Sequence, residues 1–348
     1  MSAGRILLVD DSPFILDGLA RVAAGAGFEV AGRAPHGAAA LELAEAVRPD
    51  LVSLDVDMPV LNGLATLKQL LTRRPVATVM VSALTAEEST ITFECLRLGA
   101  VDFVGKLAGA DARGIDLQRA EIGRAYLRAV AVPVRRIRHA RMRRPSSQPG
   151  RSASAPPSRV VACTAGRGGM AQLLRVLNGF PAGIGAALVF LVDLSPQVLR
   201  SFSAYVEHFS ALRVTAPSGS VPLRADTAYL VSTGQPALVV SEGGSPWLRS
   251  FQPPAGSLPE KTAEHFHESV VDAMGRRAAG LLLSGAPPGS ERGLLSMRQR
   301  GLPAFCESPE SCVDPATPLR AVQLSAANRT GDVDVLLPEL VARLAVQG

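Results

Sequence analysis

The sequence predicts two α/β domains, each a doubly wound parallel sheet, and three observations lead to this fold class. Short apolar runs alternate with segments of helical periodicity in both halves of the 348-residue chain. Most of these runs are apolar throughout rather than at every second residue, which indicates strands buried on both faces. A stretch rich in arginine, proline and serine separates the two halves, and the chain length suits two domains joined by such a connection.

In the first half, five predicted strands alternate with four helices. The strands are Arg5–Val9, Val30–Arg33, Leu51–Leu54, Thr78–Val81 and Val101–Val104. The helices between them are Pro13–Ala24, Ala38–Val47, Gly63–Leu71 and Ala86–Leu98. A further helix, Gln118–Val130, leads into the arginine-rich stretch.

The same alternation resumes in the second half after residue 159. Strands are predicted at Val160–Cys163, Ala187–Val192 and Gly280–Leu283, with a β-rich region around Tyr229–Val231 and Ala237–Val240. Helices are predicted at Met170–Leu177, Pro196–Phe209, Glu260–Met274, Glu291–Gln299 and Val335–Val346. We therefore expect a first domain at 1–110, a helical and then basic, Pro/Ser-rich linker at 111–158, and a second domain at 159–348.

The positive charge of the chain is concentrated in the linker. The formal net charge is +5, yet eight arginines and no acidic residue lie between Arg124 and Arg144, so the rest of the chain is net negative. A solvated, self-repelling linker is the main interpretation, with contact to an acidic partner surface as the alternative. DNA binding through this segment is a third reading. The 4% aromatic content and the lack of a helix-turn-helix pattern argue against it.

The remaining composition predicts a soluble cytoplasmic protein. The four cysteines have no close zinc-type spacing and are too few for a disulfide scaffold, which favours a reducing compartment. Acidic residues follow the first apolar run too soon for a signal peptide. The longest apolar run is shorter than the roughly 18 residues that a membrane-spanning helix needs, so no membrane insertion is expected.

Polar side chains gather at the predicted carboxyl edge of the first sheet. Asp10 and Asp11 follow the first strand, Asp55 follows the third, Ser82 ends the fourth, and Lys106 follows the fifth. Carboxylates brought this close repel one another unless a cation lies between them, and their hard oxygen atoms suit Mg²⁺. Together with an ammonium and a hydroxyl group, they predict that a carboxylate attacks a phosphoryl group and forms an aspartyl phosphate.

These motifs resemble the response-regulator receiver domain, whose fold is flavodoxin-like. LLVDDSP contains the acidic pair, SLDVDMPVLNGL the phosphoacceptor Asp55, MVSALTAEES the switch hydroxyl Ser82, and GAVDFVGKL the aromatic Phe103 and Lys106. The resemblance implies phosphorylation by a partner histidine kinase. It also implies that the backbone carbonyl of Asp57 completes the Mg²⁺ site.

The order of parts resembles the chemotaxis protein-glutamate methylesterase family, in which a receiver controls a Rossmann-like esterase domain that acts on chemoreceptors. In the second half the resemblance lies in VVACTAGRGGMAQLL, VFLVDLSPQVLRSFS, AYLVSTG and AGLLLSGAPPGSERGLLSMRQRG. Residue by residue, the positions of the family's serine, histidine and aspartate triad hold Gly166, Asp193 and Gly289. A glycine offers no nucleophile and an aspartate does not replace a near-neutral base, so no catalytic triad is expected.

A rewired catalytic site is the alternative that these residues leave open. Cys163 and Thr164 precede the glycine turn, and buried packing is the preferred interpretation for both. His265 and His267 lie two residues apart on a predicted helix and should face different ways. The main expectation is a phosphorylation-controlled regulator whose second domain binds chemoreceptor cytoplasmic domains without catalysis. An active methylesterase and glutamine deamidase is the competing one.

Overall fold

The computed structural model describes residues 3–83, 86–106, 112–133, 155–166, 168–250 and 259–345. The chain divides into two compact units, Met1–Arg141 and Met142–Gly348. Among the helices of these described ranges, none combines the length and the apolar character needed to cross a bilayer. Arg167 of the glycine turn and most of the arginine-rich linker lie outside the described ranges.

The first unit is a five-stranded parallel sheet in the order β2-β1-β3-β4-β5. Its strands are β1 (Gly4–Val9), β2 (Phe28–Ala34), β3 (Leu51–Asp55), β4 (Ala77–Ser82) and β5 (Asp102–Gly105). Its helices are α1 (Pro13–Gly25), α2 (Gly37–Val47), α3 (Gly63–Arg73), α4 (Ala86–Leu98) and α5 (Ala112–Val130). Every residue of β3 and β4 is buried, as expected for strands covered by helices on both faces.

Helix α5 packs on the sheet of the first unit, although we expected residues 111–158 to connect the domains. Tyr126 is fully buried, and its hydroxyl lies 2.7 Å from the Oγ of Ser53 in β3. Arg128 Nη2 lies 2.7 Å from Asp102 Oδ2 at the start of β5. The fifth helix is thus part of the first unit because it covers apolar and polar groups that would otherwise be open to water.

The second unit is built on a seven-stranded parallel sheet in the order β15-β14-β13-β6-β7-β10-β8, with a separate three-stranded antiparallel sheet. The parallel strands are β6 (Arg159–Ala165), β7 (Ala186–Val192), β8 (Arg213–Thr215), β10 (Thr227–Ser232), β13 (Ala278–Leu282), β14 (Ala304–Glu307) and β15 (Arg329–Gly331). The antiparallel strands are β9 (Val221–Pro222), β11 (Ala237–Glu242) and β12 (Ser245–Ser250). The helices are α6 (Met170–Gly179), α7 (Pro196–Glu207), α8 (Pro259–Met274), α9 (Ser290–Gln299), α10 (Ala316–Gln323) and α11 (Val333–Ala345).

The prediction of doubly wound parallel sheets is confirmed, and several elements differ from it in detail. The predicted β-rich region is divided, because its first strand, β10, lies in the parallel sheet and only β11 belongs to the antiparallel one. Helix α7 ends at Glu207, two residues before its predicted end. Six short elements are not predicted from the sequence, most of them because they contain too few residues to show a period: β8, β9, β12, β14, α10 and β15.

The tryptophan and the cysteines of this fold differ in how far they are buried. Trp247, the only tryptophan of the chain, is half-buried on β12, and the guanidinium carbon of Arg249 lies 5.2 Å from its ring centroid. The cysteines (Cys95, Cys163, Cys306 and Cys312) are all buried as free thiols.

Candidate functional site

Asp55 is the buried centre of the candidate site in the first unit. It is the last residue of β3 rather than the first residue after it, and its side chain is fully buried. Its Oδ1 accepts a hydrogen bond of 2.7 Å from the Val56 backbone N–H. Its Oδ2 accepts one of 2.8 Å from Lys106 Nζ, which reaches the same edge from the end of β5. Burial and this fixed ammonium hold the Asp55 carboxylate in one orientation.

Two further carboxylates lie beside Asp55 at the end of β1. Each of Asp10, Asp11 and Asp55 has a carboxylate oxygen within 4.8 Å of those of the other two. Asp10 is fully buried, and its Oδ1 accepts a hydrogen bond of 2.9 Å from Ser12 N–H. Its Oδ2 is 3.3 Å from Lys106 Nζ but accepts no well-formed hydrogen bond. A buried, under-coordinated oxygen within three carboxylates fits a hard divalent cation, which prefers oxygen ligands.

Burial and the neighbouring charges shift the pKa values of the groups in this cluster. Burial raises the pKa of Asp55 to about 6, although the hydrogen bond from Lys106 acts in the opposite direction. Burial also raises the pKa of Asp10, against the hydrogen bond from Ser12 and the charge of Lys106. Burial lowers the pKa of Lys106, but its contacts with both carboxylates outweigh this and leave that pKa above its usual range. The geometry therefore places a charged lysine against two carboxyl groups that are costly to ionise without it.

The other predicted residues of the receiver site are placed around Asp55 as follows. Ser82 is the buried last residue of β4, the strand next to β3. Phe103 on β5 is 3% exposed and packs edge-on against Phe93 of α4, with ring centroids 6.1 Å apart. Asp57 is exposed in the loop after β3.

The loop after β3 also contains a strained residue. Val60 has a φ of +68° and its side chain is 80% exposed. A β-branched residue in the left-handed region is disfavoured because its Cβ crowds the following carbonyl group. This strain lies within five residues of Asp55.

In the second unit, the glycine turn and Asp193 lie side by side at the carboxyl edge. A Cβ built on Gly166 would stand 3.5 Å from the Cβ of Asp193, which follows β7. Asp193 is exposed, and its Oδ1 accepts a hydrogen bond of 3.0 Å from Thr233 Oγ1. Gly289 precedes α9 with a φ of +92°, and its N–H donates to Glu291 Oε2 at 2.9 Å.

Of the side chains considered for a rewired site, all but His265 are buried. Cys163 and Thr164 are fully buried in β6, and burial raises the pKa of the Cys163 thiol. His267 is fully buried with its Nδ1 2.8 Å from Ala263 O, and burial lowers its pKa to about 4. His265 is exposed on the same helix, so the prediction that the two histidines face different ways is confirmed.

Glu307, a buried carboxyl group at the end of β14, is not among the residues predicted from the sequence. It is 1% exposed, its Oε2 accepts from Ser284 N–H at 2.8 Å, and its Oε1 accepts from Ser311 Oγ at 3.1 Å. Burial raises its pKa to about 7 despite these hydrogen bonds. The available signal was an acidic residue directly after the apolar run AFC. Because no strand is predicted there, Glu307 is not recognised as lying at a sheet edge in the way that Asp55 is.

Comparison with known families gives two matches that follow one another along the chain. The model of the response regulator receiver domain matches residues 6–112. The model of the CheB methylesterase matches residues 161–340, slightly more than half of the chain.

Curated relatives and solved structures are similar over the same regions. A protein-glutamate methylesterase/protein-glutamine glutaminase of Geobacillus kaustophilus is 30% identical over 100% of this chain and 99% of its own length. One of that name from Pyrococcus abyssi is 28% identical over 96% of this chain and 90% of its own length. The crystal structure of the response regulator domain of Thermotoga maritima CheB is 36% identical, covers 37% of this chain and 97% of that one, and has a TM-score of 0.34. The crystal structure of the methylesterase catalytic domain of the same organism's CheB is 14% identical, covers 53% of this chain and 98% of that one, and has a TM-score of 0.48.

Proposed function

This chain belongs to the CheB methylesterase family and contains a response regulator receiver domain, and from that membership we propose that phosphorylation of Asp55 controls a second domain that binds without catalysing. The observation that carries the proposal is the buried Asp55 carboxylate, held by Lys106 Nζ at 2.8 Å beside Asp10. The donor is the phosphohistidine of a chemosensory histidine kinase. The partners of the second domain are the cytoplasmic domains of chemoreceptors, which places the protein in the cytoplasm.

The chemistry at Asp55 is the transfer of one phosphoryl group. A carboxylate oxygen of Asp55 forms the new O–P bond while the N–P bond of the kinase's phosphohistidine breaks, and the histidine nitrogen keeps the electron pair. Lys106 then exchanges part of its contact with the carboxylate for a contact with a phosphoryl oxygen. The Ser82 hydroxyl supplies a hydrogen-bond donor from the neighbouring strand, and Phe103 is the aromatic switch position.

A magnesium ion is the cofactor that this set of oxygen atoms would hold. Asp10, Asp11 and Asp55 would contribute carboxylate oxygens, and Asp57 its backbone carbonyl. When bound, Mg²⁺ neutralises negative charge on the phosphoryl oxygens. Asp10 has a further role of its own, because its buried carboxylate fixes the position of Lys106 Nζ at 3.3 Å.

The proposed loss of esterase activity depends on the residues at the triad positions. Gly166 carries no nucleophile, Asp193 has no imidazole to take a proton, and Gly289 has no carboxylate to orient one. Asp193 is moreover exposed, and its Oδ1 accepts a hydrogen bond from Thr233 Oγ1. The competing function is an active methylesterase and glutamine deamidase, the two activities for which the curated relatives are named.

The phosphorylation part is tested by incubating the protein with radiolabelled acetyl phosphate and Mg²⁺. Wild type should incorporate label that Asp55→Asn does not, because the amide is a poor nucleophile for phosphorus. Asp57→Asn is the matched control: it changes an exposed side chain two residues away and keeps the backbone carbonyl. Label retained by Asp55→Asn would refute the assignment of the phosphoacceptor.

The binding part is tested by methanol release from methylated receptor membranes. The phosphorylated protein is used at high concentration, with an active methylesterase as positive control and a sample without protein as blank. We expect release equal to the blank, together with retention of the protein on the membranes. Turnover above the blank would establish the competing enzymatic function instead.

A further inference from the structure

The loop 283–289, between β13 and α9, lies directly on the glycine turn that follows β6. Leu283 N–H donates to Thr164 O at 2.9 Å, which continues the pairing of the two strands. Gly166 N–H then donates to Ser284 O at 3.2 Å. The two segments therefore meet through their main chains, at the place where the resemblance puts a nucleophile.

This contact fills the space that a side chain at position 166 needs. A Cβ added to Gly166 would lie 1.8 Å from the carbonyl oxygen of Gly285. One added to Gly169 would lie 2.1 Å from the carbonyl oxygen of Ser284. Both distances are far inside van der Waals contact, and the opposing atoms belong to the backbone rather than to a flexible side chain. A residue other than glycine at 166 requires the main chain of one segment to move.

Ser284 holds the loop in this position through its side chain and its amide. Its Oγ accepts hydrogen bonds from Val313 N–H at 3.1 Å and Asp314 N–H at 3.0 Å, and donates to Gly168 O at 3.3 Å. Its N–H donates to Glu307 at 2.8 Å. The loop is thus tied to the glycine turn, to the end of β14 and to the segment after it. These buried hydrogen bonds would be left unmade if the loop moved outward.

We propose that Ser284 and Gly285 close the former catalytic cleft with their main chain, held there by Glu307. The esterase chemistry is then blocked by packing as well as by the missing side chains. Restoring the family's residues at the three positions does not restore hydrolysis. This inference rests on the proposed function, because it uses the assignment of Gly166 to the nucleophile position.

The first test is the full chain with Gly166→Ser, Asp193→His and Gly289→Asp combined, assayed with p-nitrophenyl acetate and with methylated receptor membranes. We expect hydrolysis no faster than wild type on either substrate. A folded triple variant that hydrolyses either substrate faster than wild type overturns the proposal. This outcome is distinct from failure of the proposed function, which would appear as demethylation by the wild-type protein.

The second test measures the packing itself and does not need a folded triple variant. Gly166→Ala is compared with Gly219→Ala, whose added Cβ would meet no atom within 4 Å, in thermal unfolding of the full chain followed by Trp247 fluorescence. We expect the Tm of Gly166→Ala to fall by about 5 °C or more relative to Gly219→Ala. Equal Tm values for the two variants would mean that the cleft has room for a side chain, and would overturn the proposal.

Discussion

Replacing Glu307 by glutamine should change how the stability of the second unit depends on pH. Burial raises the pKa of this carboxyl from 4.5 to about 7, so the folded protein binds the proton more tightly than the unfolded chain does. The resulting stabilisation is complete below about pH 4.5 and is lost as the pH rises through about 7. At about 1.4 kcal/mol for each pKa unit, the loss between these limits is about 3 kcal/mol.

Glutamine removes this titration while keeping the shape of the site and the hydrogen bond from Ser284. Its carbonyl oxygen can accept from Ser284 N–H, and its amide group can donate to Ser311 Oγ in place of accepting from it. The side-chain amide of Gln172 donates to Glu307, and its Oε1 is buried without a hydrogen-bond partner. Turning this amide over would bring Oε1 to the new amide group as an acceptor. We therefore expect Glu307→Gln to be more stable than wild type above pH 7 and to lose that advantage toward pH 4.5.

Urea unfolding of the full chain, followed by Trp247 fluorescence from pH 4.5 to 8, measures this difference. Trp247 belongs to the second unit, so the transition that it reports contains Glu307. Glu310→Gln is the control, because it removes an exposed carboxylate three residues away. If the free energies of unfolding of wild type and Glu307→Gln run parallel over this range, the buried carboxyl does not titrate as argued and the reasoning fails.

Three predictions concern the first unit, each measured as a change in its free energy of unfolding. Val60→Asn should stabilise it by about 1 kcal/mol, because asparagine tolerates the left-handed region. The control Val60→Ala should not stabilise it. An unchanged free energy of unfolding for Val60→Asn would contradict the strain at this position. Tyr126→Phe should lower the free energy of unfolding by about 1–3 kcal/mol, because it leaves Ser53 Oγ without its partner. Adding Ser53→Ala should recover part of this loss of stability. If it recovers none, the hydrogen bond does not contribute as stated. Arg128→Leu should cost about 3 kcal/mol by leaving the Asp102 charge buried and unpaired, a loss that Asp102→Asn should reduce in the double variant.

The alternation of apolar strands and helices predicted the sheets because strands buried on both faces differ from helices in length and composition. It also predicted the meeting of Asp10, Asp55 and Lys106, since the carboxyl ends of parallel strands share one edge. The role of α5 was missed because its helical pattern runs directly into the arginine-rich segment, and periodicity does not say against which sheet a helix packs. Glu307 was missed because β14 has only four residues.

The contact between loop 283–289 and the glycine turn was beyond prediction for a different reason. The contact is made by backbone atoms, whereas the residue types in a sequence differ only in their side chains, so no sequence pattern indicates it. Gly166 could be recognised as lacking a nucleophile, but nothing in the letters GRGG indicates that the carbonyl group of Gly285 occupies the space above it.

Because its four thiols are buried, the folded protein gives low background in cysteine-specific labelling. Burial raises the pKa of Cys95 and of Cys306 to about 12, and it also raises those of Cys163 and Cys312. Thiol reagents react with the thiolate, so none of these groups competes with a cysteine introduced at the surface. A single introduced cysteine, for example at the exposed Leu319 of α10, can therefore carry a spectroscopic probe without removal of the native residues. Movements that follow the proposed phosphorylation of Asp55 would become measurable in an otherwise unaltered chain.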